Sequence, residues 1–530
     1  MRRCLILGVA LLALVGCGTG EIRTDVRENV VRAKEATFVI ADNLELVTDW
    51  DPATSYSNEI SAMQNIYESL TFYNPVTKRA TPRLAESWTR SADGKVWTFK
   101  LRSGVYFHTG RQLDATAVKE SIERTRRLAA GAAYIWDVVD TITVKDELTV
   151  EFRLKYAAPL DLIASADYAA YIYDTRAAGS KDLKEWFNEG RDAGTGPYTV
   201  DTWRKGKENE LVLRAFDKYW GGWEGPKYRR IEWRIVPDQK RAWQLLLRGE
   251  VNFVERISPA LFAQAKRTAG IRTLQVPSFQ NMLVLFNTAS GPLRDVRVRK
   301  AIQKAIDYRG VIAELQGAGT LASGLIPEGL LGHTPGMEPK QDLAAAAELL
   351  RQAGYGPGGR ELRLVLTYAQ GDEEERKLAE SMARTLKQLN VTLETRAMQW
   401  IPQWNMGKSR DPAKRQDIFV MYWWPDYADA YSWFRNVFRS AEPISFNLTY
   451  LQDWTVDSKI DRLPSIVATD RNKAQKAYAE LQKILLEEKA VAAVPWVMNY
   501  QRAYLGSVRG YTDNPAYPNV VFVYDLIPSG

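Results

Sequence analysis

The segment Met421-Tyr-Trp-Trp-Pro-Asp-Tyr-Ala-Asp-Ala-Tyr-Ser-Trp-Phe434 places two carboxylates, Asp426 and Asp429, among large aromatic side chains. Pro425 cannot continue a ladder, so a strand ending at Trp423 or Trp424 leaves Asp426 in the turn that follows. Taken alone, Asp426 reads as an Asx-turn residue capping its loop. Facing a closed, water-poor cleft instead, its charge is costly unless a cation partners it, and an incoming ammonium removes that cost. As a pair, Asp426 and Asp429 imitate the two acids of a glycoside hydrolase. Three residues on one loop, however, rarely face each other across a bond. Trp423 and Trp424 point to opposite faces of their strand, so at least one of them belongs to the core.

Other chemistry finds little support. The two histidines, His108 and His333, have no neighbour at metal-ligand spacing, so neither a metal nor a cofactor is expected. Gly194-Thr-Gly196-Pro197-Tyr198 lacks the following helix that a phosphate loop needs. No G-x-x-x-x-G-K-[ST], G-x-G-x-x-G or G-x-S-x-G is present. Enzymatic readings therefore fare poorly, with an exported glycoside hydrolase kept as the alternative of a different class. Seventeen tryptophans supply aromatic platforms that stack on sugars as readily as they wall in peptide side chains, and equally good core filler.

Residues 83–127, RLAESWTRSADGKVWTFKLRSGVYFHTGRQLDATAVKESIERTRR, set out the local elements most clearly. SWTRS and VWTFKLR alternate as half-buried strands around Asp93-Gly94, and Ser103-Gly104 ends the second strand. Asp114 stands where an N-cap belongs, with Val118, Ile122 and Thr125 as the inner stripe of the helix it starts. In DTITVKDELTVEFRLK (140–155) the expected turn is Lys145-Asp146. The C-terminal half alternates helices and strands. Asp342 starts an Ala-rich helix that Gly354 caps, ELRLVLTYA (361–369) is a strand, and Asp372 with Glu375 makes a capping-box-like start. Leu378, Met382, Leu386 and Leu389 form one apolar face of that helix. VTLETRAMQW (391–400) and DIFVMYWW (417–424) are further strands, which gives the βαβ rhythm of a largely parallel sheet. A long helix is expected around 472–489.

The order P-x-LAESW, S-x-DGK-x-WTF-x-LR-x-GV-x-F-H-x-G resembles the signature of the extracellular solute-binding proteins, family 5, of oligopeptide, dipeptide and nickel ABC importers. GTGPYTV, YWGGWEGPK, IEWRIVPD, RGEVNFV and VAAVPWVMNY resemble further markers of that family, so the resemblance runs from about residue 37 to 528. It implies an α/β, two-lobed periplasmic-binding-protein type II fold with a hinge of two crossing strands and an additional inserted domain. The implied division is a discontinuous lobe I of 37–66, 196–285 and 498–530, an inserted domain of 67–195 and lobe II of 286–497. The W-x-x-D pattern of peptide-binding members implies Asp426 as the partner of the ligand's α-ammonium, with Trp423 as the aromatic wall beside it. Trp400 resembles a second pocket tryptophan. Family members usually have proline where this chain has Ala430, which alters the loop. The resemblance further implies a monomer that captures peptides or other small polar solutes, with oligosaccharides as the alternative, for an ABC permease and ATPase.

The N-terminus agrees with export. Arg2 and Arg3 precede the apolar Leu5–Val15, too short to span a bilayer, and Leu14-Val15-Gly16-Cys17 resembles a lipobox. Residues 1–17 then form a lipoprotein signal ending in the lipidated Cys17, 18–36 a tether, and the protein is held on the cell membrane facing outward. Cys4 and Cys17 are the only cysteines, so the mature body has no thiol left for a disulfide. The formal charge of +7, or +5 without residues 1–16, is spread among many acids and does not read as a nucleic-acid stripe. If Cys17 carries lipid, the wild-type protein partitions into detergent with the membrane fraction, whereas Cys17→Ala stays unprocessed or loses its lipid. Mature protein cleaved elsewhere, with an unmodified Cys17 by mass spectrometry, contradicts the lipobox.

Overall fold

The computed structural model describes residues 36–42, 47, 49–517 and 519–529. Cys17, the signal segment and nearly all of the expected tether lie outside the described residues.

One large mixed sheet runs through the molecule. From one edge its strands are Val391–Met398, Leu362–Ala369, Ile418–Trp423, Ile271–Phe286, Trp496–Leu505, Phe253–Val254, Thr37–Asp42, Arg230–Ile235, Asn209–Ala215 and Tyr198–Trp203. Leu362–Ala369 pairs parallel with both Val391–Met398 and Ile418–Trp423, as the βαβ rhythm predicts. Thr37–Asp42 likewise pairs parallel with Arg230–Ile235 and Phe253–Val254. Two long strands join these halves. Ile271–Pro277 pairs antiparallel with Asn499–Leu505, and after a register shift Asn281–Phe286 pairs with Ile418–Trp423. Trp496–Met498 continues the other way to pair with Gly319–Leu321. Each long strand thus serves both halves of the sheet.

A separate four-stranded antiparallel sheet has the order Ala85–Arg90, Val96–Leu101, Thr149–Leu154 and Val139–Asp146. Trp97, Phe99 and Leu101 alternate inward, and Gly94 takes the positive φ of 71° that the hairpin turn demands. Full burial of such side chains contributes roughly 1.5–3 kcal/mol each. The Ala115–Leu128 helix starts at Asp114, whose carboxylate accepts the Ala117 N–H, and buries Val118, Ile122 and Thr125. The second hairpin turns at Glu147-Leu148 rather than at Lys145-Asp146. The ladder extends through Asp146, whose carboxylate accepts the Leu148 N–H and so still does an aspartate's work in a turn.

The helices beside the parallel strands follow their caps. Asp342 accepts the Ala345 N–H to start Leu343–Gln352, and Gly354 follows that helix with φ +82°. Asp372 accepts the Glu375 N–H, but Glu375 reaches the Ala369 N–H instead of completing a capping box. Leu378, Met382, Leu386 and Leu389 are buried as one face. The late helix is Arg471–Lys483, and its last turn widens to a π-helix over Ile484–Glu488.

A buried ion pair ties the first helix of the small sheet to the chain's N-terminal part. Arg124 donates to both oxygens of Asp51, at 2.7 and 2.5 Å, and to the Tyr173 hydroxyl at 3.1 Å. Removing one partner leaves an uncompensated buried charge. Arg124→Ala is therefore expected to lower stability by about 3–5 kcal/mol in denaturant unfolding, and Asp51→Leu with Arg124→Met to recover much of that loss. A single variant within about 0.5 kcal/mol of wild type contradicts this role.

Candidate functional site

Strand Ile418–Trp423 ends where Pro425 prevents further pairing, and Asp426 turns inward, 2% exposed. Its partners come from three distant parts of the chain. The Tyr56 hydroxyl donates to Oδ1 at 2.8 Å, the Tyr134 hydroxyl donates closely to Oδ2, and Asn436 Nδ2 donates to Oδ2 at 3.1 Å. Asn436 also donates to the Tyr134 hydroxyl at 3.2 Å. Burial pushes the Asp426 carboxyl up to about 6, against the lowering effect of the hydrogen bonds from Tyr134, Tyr56 and Asn436. Asp429 takes the loop-capping role, as its Oδ1 accepts the Tyr431 N–H at 2.8 Å and the Tyr478 hydroxyl at 2.6 Å.

Trp423 is buried and stands edge-on to Phe446, with ring centroids 5.1 Å apart. Phe446 in turn meets Tyr56 at 5.4 Å and Trp404 at 4.7 Å. Trp400 differs from expectation. The strand stops at Met398, and Trp400 opens the Trp400–Gly407 helix instead of ending the strand. Four residues apart on one helix face, Trp400 and Trp404 stack at 5.5 Å, leaving Trp400 42% exposed. Asp426, Trp423 and Trp400 are thus linked through Tyr56, Phe446 and Trp404 in one aromatic-lined seam.

Tyr422, next to Trp423 on the strand, points to the opposite face. There a cavity of about 90 Å³ is lined by Glu255, Arg256, Gln280, Asp372, Tyr422 and Tyr500, among others. It lies where the carboxyl ends of parallel strands from the two halves of the sheet meet, the usual ligand position in α/β sheets. Burial opposes the charge on Arg256, but Glu255, Asp42 and Asp372 outweigh it and hold the guanidinium charged. Burial, with the nearby Glu374 charge, pushes the Asp372 carboxyl up to about 6.

His108 is spent structurally: Nδ1 contacts the Asp192 carboxylate, and Nε2 bonds the Gly196 carbonyl at 2.9 Å. The Gly194-Thr-Gly196 segment packs its backbone on Ile66, whose carbonyl oxygen would meet an added Cβ at 2.1 and 2.7 Å. Among the described residues no cluster of three or more His, Cys, Asp or Glu could hold a metal. Tyr56, Tyr134 and Asn436 escaped the sequence reading, since the two tyrosines lie 370 and 292 residues from Asp426 along the chain. Asn436 alone had a local signal, ten residues after Asp426. It sits on the π-helix Trp433–Phe438, a wide turn common at functional sites.

The raised Asp426 carboxyl has a pH signature. Its folded value of about 6 lies above the ordinary 3.8, so the folded state holds the extra proton between those values. The stability this group contributes is present below about pH 4 and is lost as pH rises through about 6. Asp426→Asn cannot titrate. Its stability relative to wild type should rise between pH 4 and 6.5, by an amount on the order of 3 kcal/mol, and then stay level. A difference independent of pH in urea titrations contradicts the assignment.

Comparison with known proteins identifies the family and the fold. The family model for bacterial extracellular solute-binding proteins, family 5 Middle, matches residues 79–443. The chain is 26% identical over 444 residues to a probable D,D-dipeptide-binding periplasmic protein, DdpA, of Escherichia coli K12, covering 82% of this chain and 83% of that one. It is 25% identical over 508 residues to a glutathione-binding protein, GsiB, of Pectobacterium atrosepticum, covering 93% and 94%. Among solved structures, DppA of Helicobacter pylori in complex with the peptide STSA superposes with a TM-score of 0.80 at 22% identity, over 94% of this chain and all of that one. The murein tripeptide binding protein MppA of Escherichia coli gives 0.81 at 20% identity, over 94% and 99%. The α/β architecture is therefore that of the two-lobed periplasmic binding proteins. Matched over more than half its length, the chain belongs to the bacterial extracellular solute-binding proteins of family 5, which bind substrates for ABC importers and catalyse no reaction.

Proposed function

We propose that this protein captures peptides or related amine-bearing solutes in a closing interlobe cleft, with Asp426 as the anchor for the ligand's ammonium. The observation that carries the reading is a carboxylate 2% exposed, with no cation paired to it among the described residues, that meets tyrosines 370 and 292 residues away. A carboxylate offers about four acceptor positions, and three are occupied by neutral donors, which leaves room for one N–H of an ammonium. An ammonium there would stabilise a charge that burial now disfavours. The relatives named for dipeptides, D,D-dipeptides and glutathione support the choice, since each of those solutes carries a primary amine.

The division into lobe I (37–66, 196–285, 498–530), inserted domain (67–195) and lobe II (286–497) is part of this proposal. Under it, Tyr56 and Tyr134 stand on one side of the seam and Asp426 and Asn436 on the other. Ligand contacts made on both sides favour the closed shape, whereas equal affinity for open and closed would shift nothing. The closed form is delivered to a membrane permease, and Cys17 holds the protein near it. Trp423 and Trp400 serve as aromatic walls. The half-exposed Trp400 stacked on Trp404 also favours a second reading, an oligosaccharide ligand stacked on that platform.

Two measurements separate these. Loss of a charged hydrogen bond removes about 1.5–3 kcal/mol and truncation of a buried charge pair roughly 2–5. Asp426→Asn should thus fold and bind free-amine ligands about tenfold to several-thousand-fold more weakly by calorimetry, with little further loss for N-acetylated ligand. Unchanged affinity rejects the amine anchor and leaves the sugar reading, which Trp400→Ala then tests. Saturating ligand should also shrink the radius of gyration and raise Tm with concentration. A true ligand that leaves the scattering curve unchanged rules out closure.

A further inference from the structure

Asp167 adjoins Asp426 through its main chain. It follows the short Leu160–Ile163 helix, and its main-chain N–H donates to the Asp426 carbonyl at 3.1 Å. Its own carbonyl accepts from Gln64 Nε2 at 3.4 Å. These bonds leave the side chain unused. Asp167 is fully buried, yet neither carboxylate oxygen has a hydrogen-bond donor among the described residues. The Tyr171 hydroxyl nearby is likewise buried without a partner, while the Tyr168 hydroxyl is committed to the Ser57 carbonyl at 2.8 Å. Burial, then the Asp426 charge, pushes the Asp167 carboxyl well above the ordinary range, and the main-chain N–H groups of Asp167 and Tyr168, near the carboxylate but outside hydrogen-bonding geometry, offset this only in part. The same Asp426 and Asp167 charges act together on the Tyr56 hydroxyl, which places all three groups in one neighbourhood.

A buried carboxylate without donors is among the least favourable groups a fold can hold, and buried charges are ordinarily paired. Such a carboxylate at Asp167, on a segment adjoining Asp426, whose donors among the described residues are all neutral, describes a site for a cation. We propose that Asp167 is a second cation-binding carboxylate of the cleft, and that a ligand's primary ammonium is held between Asp167 and Asp426. This rests on the reading of Asp426 as the amine anchor and deepens it. Asp426 already accepts from three neutral donors and has about one position left, whereas both oxygens of Asp167 are open. A primary ammonium has three N–H groups, enough to serve both carboxylates at once. The class selected is therefore a primary amine, and a quaternary ammonium of the same charge is a poor substitute because it has no N–H to donate. Under the domain division above, Asp167 belongs to the inserted domain and Asp426 to lobe II. The bridge is then complete only in the closed form, which gives the ligand its preference for that form.

The test uses the tightest free-amine binder from a dipeptide library, with its N-acetyl and N,N,N-trimethyl derivatives, measured by calorimetry on the full mature protein. Wild type should bind the free amine at least tenfold better than either derivative. Asp167→Asn should weaken the free amine at least tenfold and change the N-acetyl form less than twofold, while the ligand-free Tm stays equal or rises. If Asp426→Asn weakens the free amine but Asp167→Asn leaves it at wild-type affinity, the second carboxylate is overturned and the anchor stands. If neither variant matters, or no free amine binds, both readings fall. Equal losses for free and acetylated ligand in Asp167→Asn show a structural role and also overturn the proposal. Asp167→Ser repeats the measurement if the asparagine variant does not fold, and failure of both to fold overturns it as well.

Discussion

The ladder between Ile271–Pro277 and Asn499–Leu505 is the constraint on which the rest of the structure depends. Past that shared ladder Asn281–Phe286 pairs with Ile418–Trp423, while within it Ala503–Tyr504 also pairs, on its other side, with Phe253–Val254. Backbone hydrogen bonds thereby set where the end of the Ile418–Trp423 strand stands relative to the N-terminal part of the chain. Asp426, three residues past that end, meets Tyr56 and Tyr134 because this ladder holds the two halves in register. The charged cavity around Arg256 and Asp372 has the same origin, since its walls come from strand ends on either side of the paired strands and from Tyr500 within one of them.

Once the halves meet, electrostatics gives the seam its character. Burial drives Asp426 toward protonation at about 6 and raises Asp167 as well; on the opposite face of the strand it also raises Asp372 and Glu255, there beside the charged Arg256. Two other buried acids are balanced by cations: Arg124 balances Asp51, and Arg502 lies 3.1 Å from Asp513. At Asp426 the donors among the described residues are neutral hydroxyl and amide groups. Among the described residues the carboxylates of Asp426 and Asp167 are thus left to neutral donors or to none, an unfavourable state for a buried charge. Asp429, three residues away, makes the contrast: its Tyr478 and Tyr431 partners complete a loop cap.

Much of the local structure was legible in the chain. The Trp97-Phe99-Leu101 alternation, the Asp93-Gly94 turn, the Asp114 and Asp342 caps and the Leu378–Leu389 face all describe interactions spanning a few residues, and the structure reproduces them. The departures are also local in cause. The Lys145-Asp146 turn moved two residues because the ladder with Thr149–Leu154 outcompeted an aspartate's turn preference. The strand expected to reach Trp400 yielded to a helix that stacks Trp400 on Trp404. Family membership was readable for the same reason, since its markers are short strings in fixed order.

By itself, then, the sequence determined the elements, their caps and inward faces, the family, and the exposure of one aspartate to a turn after Pro425. Only the tertiary structure decided what surrounds that aspartate. Tyr56, Tyr134 and Asp167 reach it from hundreds of residues away, and no period or motif links them to it. Asn436 is near in sequence, but its reach depends on the wide turn of the Trp433–Phe438 helix. The physical reason is that caps and stripes are set by neighbours within a few residues, whereas a carboxylate's donors and its desolvation are properties of the closed three-dimensional packing.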